Sequence, residues 1–322
     1  MEIKPRINFE GRTRLETVIP LSTPYLVFLD PSDRCNLKCP MCPSGDRKLL
    51  KKVGRKPQLM SYELFKKIIN DLEDMPDQIK TLRLYSDGEP TMNPNLPKMV
   101  KVAKDTGRFG QVDTTTNGVL LTPKLGKKLV DAGLDKIFIS VPSGYTEAYK
   151  DQINNFIAHK GSCQVYVKTI GDEMWDMEKE MFYVDFSEAD RVFIENKVPC
   201  WPNFDSGPDN QVGIYNQPLG VEPKVCSYIF YSVKINSDGT VSLCFLDWSH
   251  TIIIGDLKRD SFKDIWQGNL LREVRRIHLK GERKKETVYP FNIAKWCGNC
   301  GQLKYGSPDN FDEFANEILK KI

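Results

Sequence analysis

The stretch CNLKCPMC, Cys35–Cys42, holds three cysteines spaced four and then three apart. Most structural thiolate sites for a single metal ion use four ligands. A [4Fe–4S] cluster takes one ligand per iron, so three cysteines leave one iron open to a further ligand. Such a loop must wrap one cube, which requires cysteines close in sequence and free of sheet pairing. The connection after a strand provides that, and the short apolar run YLVFLD (Tyr25–Asp30) leads directly into it. A zinc site would want a fourth ligand, and the three histidines, His159, His250 and His278, all lie far off in sequence.

Outward from this loop, strand and helix signals alternate. Ser61 is placed to cap a helix whose apolar stripe is Leu64, Phe65, Ile68, Ile69, Leu72 and Met75. IKTLRLY (Ile79–Tyr85) reads as a strand closed by SDGEP. Helical NLPKMVKVAKDTG follows, then strand QVDTTT with a turn at Asn117-Gly118. A helix from Thr122-Pro123 to Gly133, a strand KIFISV, a helix YTEAYKDQINNFIAH, a strand QVYVKTI, a helix EMWDMEKEMF and a strand RVFIE complete the series. Six strand–helix repeats over residues 25–195 call for a parallel sheet with right-handed crossovers, as a partial barrel or an open doubly wound sheet. In either, function gathers at the C-terminal ends of the strands. The cysteine loop, SDGEP and TTNG all fall there.

The alternation stops near residue 200, where a segment rich in Pro, Gly, Asn and Asp reads as a linker or long loop. YSVKINSDGTVSLC reads as a β-hairpin turning at Asn236–Gly239. SFKDIWQGNLLREVRRIH reads as one amphipathic helix, and FANEILKKI as another. The expected division is an N-terminal arm (1–24), a barrel (25–205) and a small α+β domain (206–322).

The composition is that of an ordinary globular chain, 40% hydrophobic and 28% charged. A net charge of +3 is too small to argue for nucleic acid as a partner, and no apolar run is long enough to span a membrane. The N-terminus mixes charges and lacks the apolar core of a signal peptide. The expected location is cytoplasmic. There, clustered cysteines read as metal ligands rather than disulfides.

Cys35-x-x-x-Cys39-x-x-Cys42 after a first strand resembles the defining motif of the radical S-adenosylmethionine (radical SAM) enzymes. The resemblance implies an α/β partial (β/α)6 TIM-like barrel. It also implies a [4Fe–4S] cluster whose open iron is chelated by SAM, and cleavage of SAM to a 5′-deoxyadenosyl radical that takes hydrogen from an unactivated C–H bond. Gly88-Glu89-Pro90 resembles the family segment that hydrogen-bonds the SAM amino group, with Asp87 in place of that pattern's first glycine. TTNG resembles the segment near SAM and implicates Thr115, Thr116 and Asn117. By the same resemblance, Ser140 lies where a serine contacts the ribose or carboxylate. Lys168 would pair with the carboxylate, and Met41 would pack near the adenine.

Cys226, Cys244, Cys297 and Cys300 form a second, dispersed group. With the hairpin, the CxxC and GDLKRDSFKDIW (Gly255–Trp266), they resemble the twitch form of the SPASM region, which implies one auxiliary [4Fe–4S] cluster ligated by four thiolates. The alternative for these four is a structural Cys₄ zinc. A closed cluster near the substrate would accept an electron after hydrogen abstraction, giving a two-electron oxidation. Redox-neutral epimerases end instead with a thiol donor. Cys163 and Cys200 are the remaining thiols. Both read first as small buried hydrophobes, and Cys200 is the better donor candidate because it follows the last strand.

The expected substrate is a small polar molecule of carbohydrate, cyclitol or nucleotide-sugar type, with a flavodoxin or ferredoxin as electron donor. Few residues precede the first strand, too few for a leader-peptide-binding domain, which weighs modestly against a peptide substrate. A peptide- or protein-modifying radical SAM enzyme is the first alternative, and a non-catalytic iron–sulfur or zinc scaffold the last. The basic run RKLLKKVGRK (Arg47–Lys56) reads as a solvated face or as an approach to an anionic substrate. A second basic run, Arg272–Lys285, carries less weight.

Overall fold

The computed structural model describes residues 13–39, 42–141, 144–170, 191–195, 224–285, 288, 290, 292–298, 300, 309 and 311–322. A short helix, α1 (Leu15–Val18), precedes the first strand, β1 (Leu26–Leu29). Then follow α2 (Arg47–Lys52), α3 (Tyr62–Glu73), β2 (Ile79–Arg83), α4 (Leu96–Asp105), β3 (Phe109–Thr116), α5 (Pro123–Asp131), β4 (Lys136–Ser140), α6 (Glu147–Ala158), β5 (Gln164–Ile170) and β6 (Arg191–Glu195). The expected helix between β5 and β6, the linker after residue 200 and the division at 205/206 lie outside the described residues.

Local chemistry starts and stops these helices, at Ser61, Thr122 and Gly133 as anticipated. Ser61 accepts a hydrogen bond from Leu64 N, Thr122 from Leu125 N and Thr146 from Tyr149 N, each satisfying an orphan donor of a first turn. Gly133, just past α5, takes φ +87°, a left-handed conformation that glycine adopts without cost. The stripe predicted for α3 is buried at Phe65, Ile68, Ile69 and Leu72.

Strands β1 to β6 pair in parallel in sequence order. The architecture is the expected α/β partial barrel. Its two faces differ. Ile137 and Ile139 of β4 join the large core under the helices, whereas Phe138 packs apart from it against Tyr166. The alternation of a strand therefore separates a helix-covered face from an inner face.

The C-terminal region comprises α7 (Tyr228–Tyr231), β7 (Ser232–Ile235), β8 (Thr240–Ser242), β9 (Ile253–Asp256), α8 (Phe262–Trp266), α9 (Asn269–Leu279), α10 (Ile293–Trp296) and α11 (Ala315–Leu319). The predicted hairpin is β7–β8, with Gly239 at φ +87° in its turn. It does not stand apart from the barrel: β7 pairs in parallel with β1, so one nine-stranded sheet runs β6-β5-β4-β3-β2-β1-β7-β8-β9. Strand β9 had no counterpart in the sequence reading.

The single helix expected over 261–278 is corrected to two. Gly268 breaks it, with its backbone extended at ψ 160° and so close to Asp264 O that a Cβ would lie 2.4 Å away. Arg275 of α9 then stacks over Trp266 of α8 at 4.2 Å. Among the described residues no helix is long and apolar enough to cross a membrane.

Candidate functional site: two cysteine sets joined by a buried polar cluster

The first set sits on the loop leaving β1, at the C-terminal edge of the sheet. Asp30 starts the loop: its amide donates to Ile235 O at 2.9 Å, and its carboxylate accepts from Ser32 N and Asp87 N. Asn93 holds the opposite side, donating from Nδ2 to Pro31 O at 2.8 Å and to Met60 O at 2.9 Å. Cys42 N donates to Cys39 O (3.0 Å), and Gly45 N to Cys42 O (2.9 Å). A Cβ on Gly45 would lie 2.8 Å from Cys39 O, so the loop folds back on itself around the triplet. Burial and then the Cys39 and Cys35 charges push the Cys42 thiol up to about 11. Met41 lies outside the described residues.

Gly88 rests directly on this loop. A Cβ there would lie 2.1 Å from Ser32 O and 2.5 Å from Arg34 O, both backbone atoms, and Glu89 N donates to Arg34 O at 2.8 Å. Close backbone approach, not an unusual dihedral, explains the glycine. The buried Glu89 carboxylate gathers the neighbouring strand ends. It accepts from Thr91 N (3.0 Å), Thr91 Oγ1, Thr116 Oγ1 (2.7 Å) and Asn117 N (2.7 Å). Burial raises its pKa and these hydrogen bonds oppose the rise. Pro90 begins a 3₁₀ turn, Pro90–Met92. Asn117 Nδ2 donates to Asn36 Oδ1 at 2.8 Å and approaches Cys35 Sγ at 4.0 Å. Gly88, Glu89 and Asn117 thus meet the cysteine loop, and Thr116 joins them through Glu89.

Thr115, one residue before the end of β3, has a buried Oγ1 with no hydrogen-bond partner. Ser140 ends β4 half-buried, and Lys168 of β5 holds the register position opposite it. Farther along the inner face, Arg83 grips Asp113 through three N–O contacts of 3.1–3.2 Å, among the rings of Phe28, Tyr85 and Phe138.

The second set gathers behind the hairpin. Burial and then mutual charge raise the thiols of Cys226 (to about 12), Cys244 and Cys297, with Cys300 a contributor to each. Leu246 N donates to Cys244 Sγ at 3.4 Å. A Cβ on Gly298 would lie 2.2 Å from Ala294 O, so glycine lets the chain turn out of α10 inside the CxxC. Arg283 donates to Cys297 O and to Lys224 O. Cys200 lies outside the described residues, and Cys163 is a core residue, as its bland reading held.

Sequence reasoning missed what lies between the sets. Asp87 is wholly buried, and its Oδ2 receives Lys234 Nζ and meets His250 Nε2 at 2.7 Å and Arg55 NH2 at 3.7 Å. Arg55 also reaches Asp33 (3.4 Å) and Trp248 O (2.6 Å). The basic run Arg47–Lys56 is therefore corrected at its end: Arg55 turns inward and is buried. The available signals were Asp87 at a glycine position and an arginine just before the end of that run. Nothing in the sequence marked His250, whose φ of +54° is the described residues' single left-handed non-glycine conformation.

The donors fit iron–sulfur groups. Among the described residues no three Cys, His, Asp or Glu side chains converge closely enough to grip one ion. A four-iron cube asks for thiolates set apart, one per iron. Iron would deprotonate thiols that burial otherwise keeps neutral. The orphaned Thr115 Oγ1 is left with a hydrogen bond to offer a polar group.

Comparison with known proteins finds two family matches. Residues 29–170 match the Radical SAM superfamily, and residues 226–301 match SPASM, an iron–sulfur cluster-binding domain. The tungsten-containing aldehyde ferredoxin oxidoreductase cofactor-modifying protein of Pyrococcus furiosus is 34% identical over 122 residues, 36% of this chain and 30% of that protein. The PqqA peptide cyclase of Bradyrhizobium diazoefficiens is 31% identical over 144 residues, 44% of this chain and 35% of that protein. This chain thus matches only about a third of the length of either relative. The crystal structure of BtrN in complex with AdoMet and 2-DOIA shares the fold, with TM-score 0.58 at 18% identity over 89% of this chain and 97% of that one.

Proposed function

The chain belongs to the radical SAM superfamily and carries a SPASM iron–sulfur region behind the radical SAM domain, and on that premise we propose that it is an oxidoreductase acting on a small polar substrate of carbohydrate, cyclitol or nucleotide-sugar type. When bound, the groups at the two sites supply reductive cleavage of SAM, hydrogen abstraction and an acceptor for one electron, so that substrate loses a hydrogen atom, a proton and an electron in all. Cys35, Cys39 and Cys42 hold the open cluster. Cys226, Cys244, Cys297 and Cys300 close a single auxiliary one. Glu89 fixes the ends of the strands that face SAM. Thr115 Oγ1 and Ser140 offer hydrogen bonds to the ribose or carboxylate, Lys168 offers it a cation, and Met41 a soft wall for the adenine. A cytoplasmic flavodoxin or ferredoxin supplies the initiating electron.

The observation that carries this reading is the pairing of a three-thiol set with a four-thiol set, one with a vacancy and one without. Cys35→Ala is expected to abolish 5′-deoxyadenosine formation from SAM under reducing conditions; retained formation would refute the assignment of the first site. Reaction of candidate sugars and cyclitols in deuterated water separates the outcomes. A carbonyl product supports oxidation. A solvent deuteron at the reacting carbon supports an epimerase using Cys200 as hydrogen donor. The relative named as a peptide cyclase favours peptide modification as a second reading, which turnover of a peptide and of no sugar or cyclitol would establish.

A further inference from the structure

Asp87 and Lys234 lie 147 residues apart in sequence and meet where water is excluded; both side chains are wholly buried. On one side, Asp87 N donates to Asp30 Oδ2 at 3.1 Å, and the next residue, Gly88, packs on the backbone of Ser32–Arg34, directly before Cys35. On the other, Lys234 lies on β7 and donates from Nζ to Asp247 O at 3.0 Å. Asp247 shapes the loop behind Cys244. Its amide donates to Cys244 O (3.0 Å), and its carboxylate accepts from Ser249 Oγ, Thr251 N and Ile252 N at 2.9–3.1 Å. A polar chain thus runs from the three-cysteine loop through Asp87, Lys234 and Asp247 to the four-cysteine set. The groups facing the pair are Arg55, Asp30, Asp33 and His250.

We infer that the Asp87–Lys234 pair positions the two cysteine sets against each other and biases the reduction potential of the clusters they hold, the two residues acting with opposite sign. Neither residue ligates a cluster; each acts through the loops it holds and through its charge. A nearby carboxylate disfavours adding an electron to a cluster and a nearby ammonium favours it, with little screening in a buried setting. Removing one partner also strands the other's charge in the interior, whereas removing both does not. A glycine at position 87 would leave Lys234 without its carboxylate, which gives the departure from the family pattern a purpose. The inference rests on iron–sulfur groups occupying both sets.

The test compares Asp87→Asn, Lys234→Met and the double variant with wild type. Clusters of the anaerobically loaded proteins are titrated potentiometrically and followed by electron paramagnetic resonance, and thermal unfolding of the metal-free proteins is measured in parallel. Asp87→Asn should shift both potentials upward and Lys234→Met downward, with the double variant near wild type. A merely structural pair would not split the sign. Shifts in one direction for both single variants, or no shift in either, would overturn the inference. Should a single variant fail to load, the double must recover the iron content and melting temperature that each single loses. A double as impaired as the two singles combined also overturns it. Failure of wild type itself to hold iron at either set would instead sink the functional reading, while non-additive melting of the metal-free variants would still report the pair.

Discussion

At Gly88 the residue scale decides whether the cysteine loop closes. Its α-hydrogen faces backbone oxygens of Ser32 and Arg34 that cannot rotate away. Gly88→Ala is therefore expected to cost about 1–3 kcal/mol as an overpacking defect and to lower iron loading at the first set. Thermal melting and iron analysis check both. Next to it, Asp87 makes stability depend on acid. Burial alone would raise its carboxyl, but the charges of Lys234 and Arg55 and the hydrogen bond from His250 hold it well below the usual carboxylate range. A carboxylate depressed on folding stabilises the protein above its unfolded pKa of about 3.9. That stabilisation is lost as pH falls through the folded value. The stability gap between wild type and Asp87→Asn should therefore narrow as pH falls from about 5 toward 2. A gap constant across that range would remove Asp87 from the account.

At the scale of elements, caps and breakers act locally and were legible. Ser61→Ala removes the acceptor for Leu64 N and is expected to destabilise by about 1 kcal/mol while leaving iron content unchanged, which melting and iron analysis separate. Six strands and the hairpin were readable because alternation of apolar residues and turn signals at Asn117-Gly118 and Asn236–Gly239 are short-range. The 261–278 segment was misread for the same reason. A continuous apolar stripe masks a break that arises from close approach of Gly268 to Asp264 O. Strand β9 was missed because its four residues, Ile253–Asp256, gain their identity from pairing with β8.

At the scale of the whole molecule, β7 lying beside β1 is what brings the two cysteine sets onto one sheet. Phe245, the neighbour of Cys244, stacks on Phe28 of β1 with centroids 4.9 Å apart and meets the edge of Tyr228 at 5.1 Å. The C-terminal set is thus packed against the strand that carries the first. Cys226→Ala is expected to remove roughly four irons per chain, the content of one cube, and to leave reductive SAM cleavage in place. Unchanged iron content would refute the auxiliary site.

By itself the sequence determined the two groups of cysteines and their order along the chain. A strand followed by CNLKCPMC, a Gly-Glu-Pro after the second strand and a CxxC near the end are local patterns, legible because each lies within a few contiguous residues. Only the tertiary structure decided how the two sets are joined. Asp87 and Lys234 are 147 residues apart, and no local pattern pairs them, since a buried ion pair is specified by the sheet that brings its partners together. Arg55 and His250 take their roles from the same cause. Each looks like an ordinary surface residue until the β1–β7 pairing removes the water around Asp87.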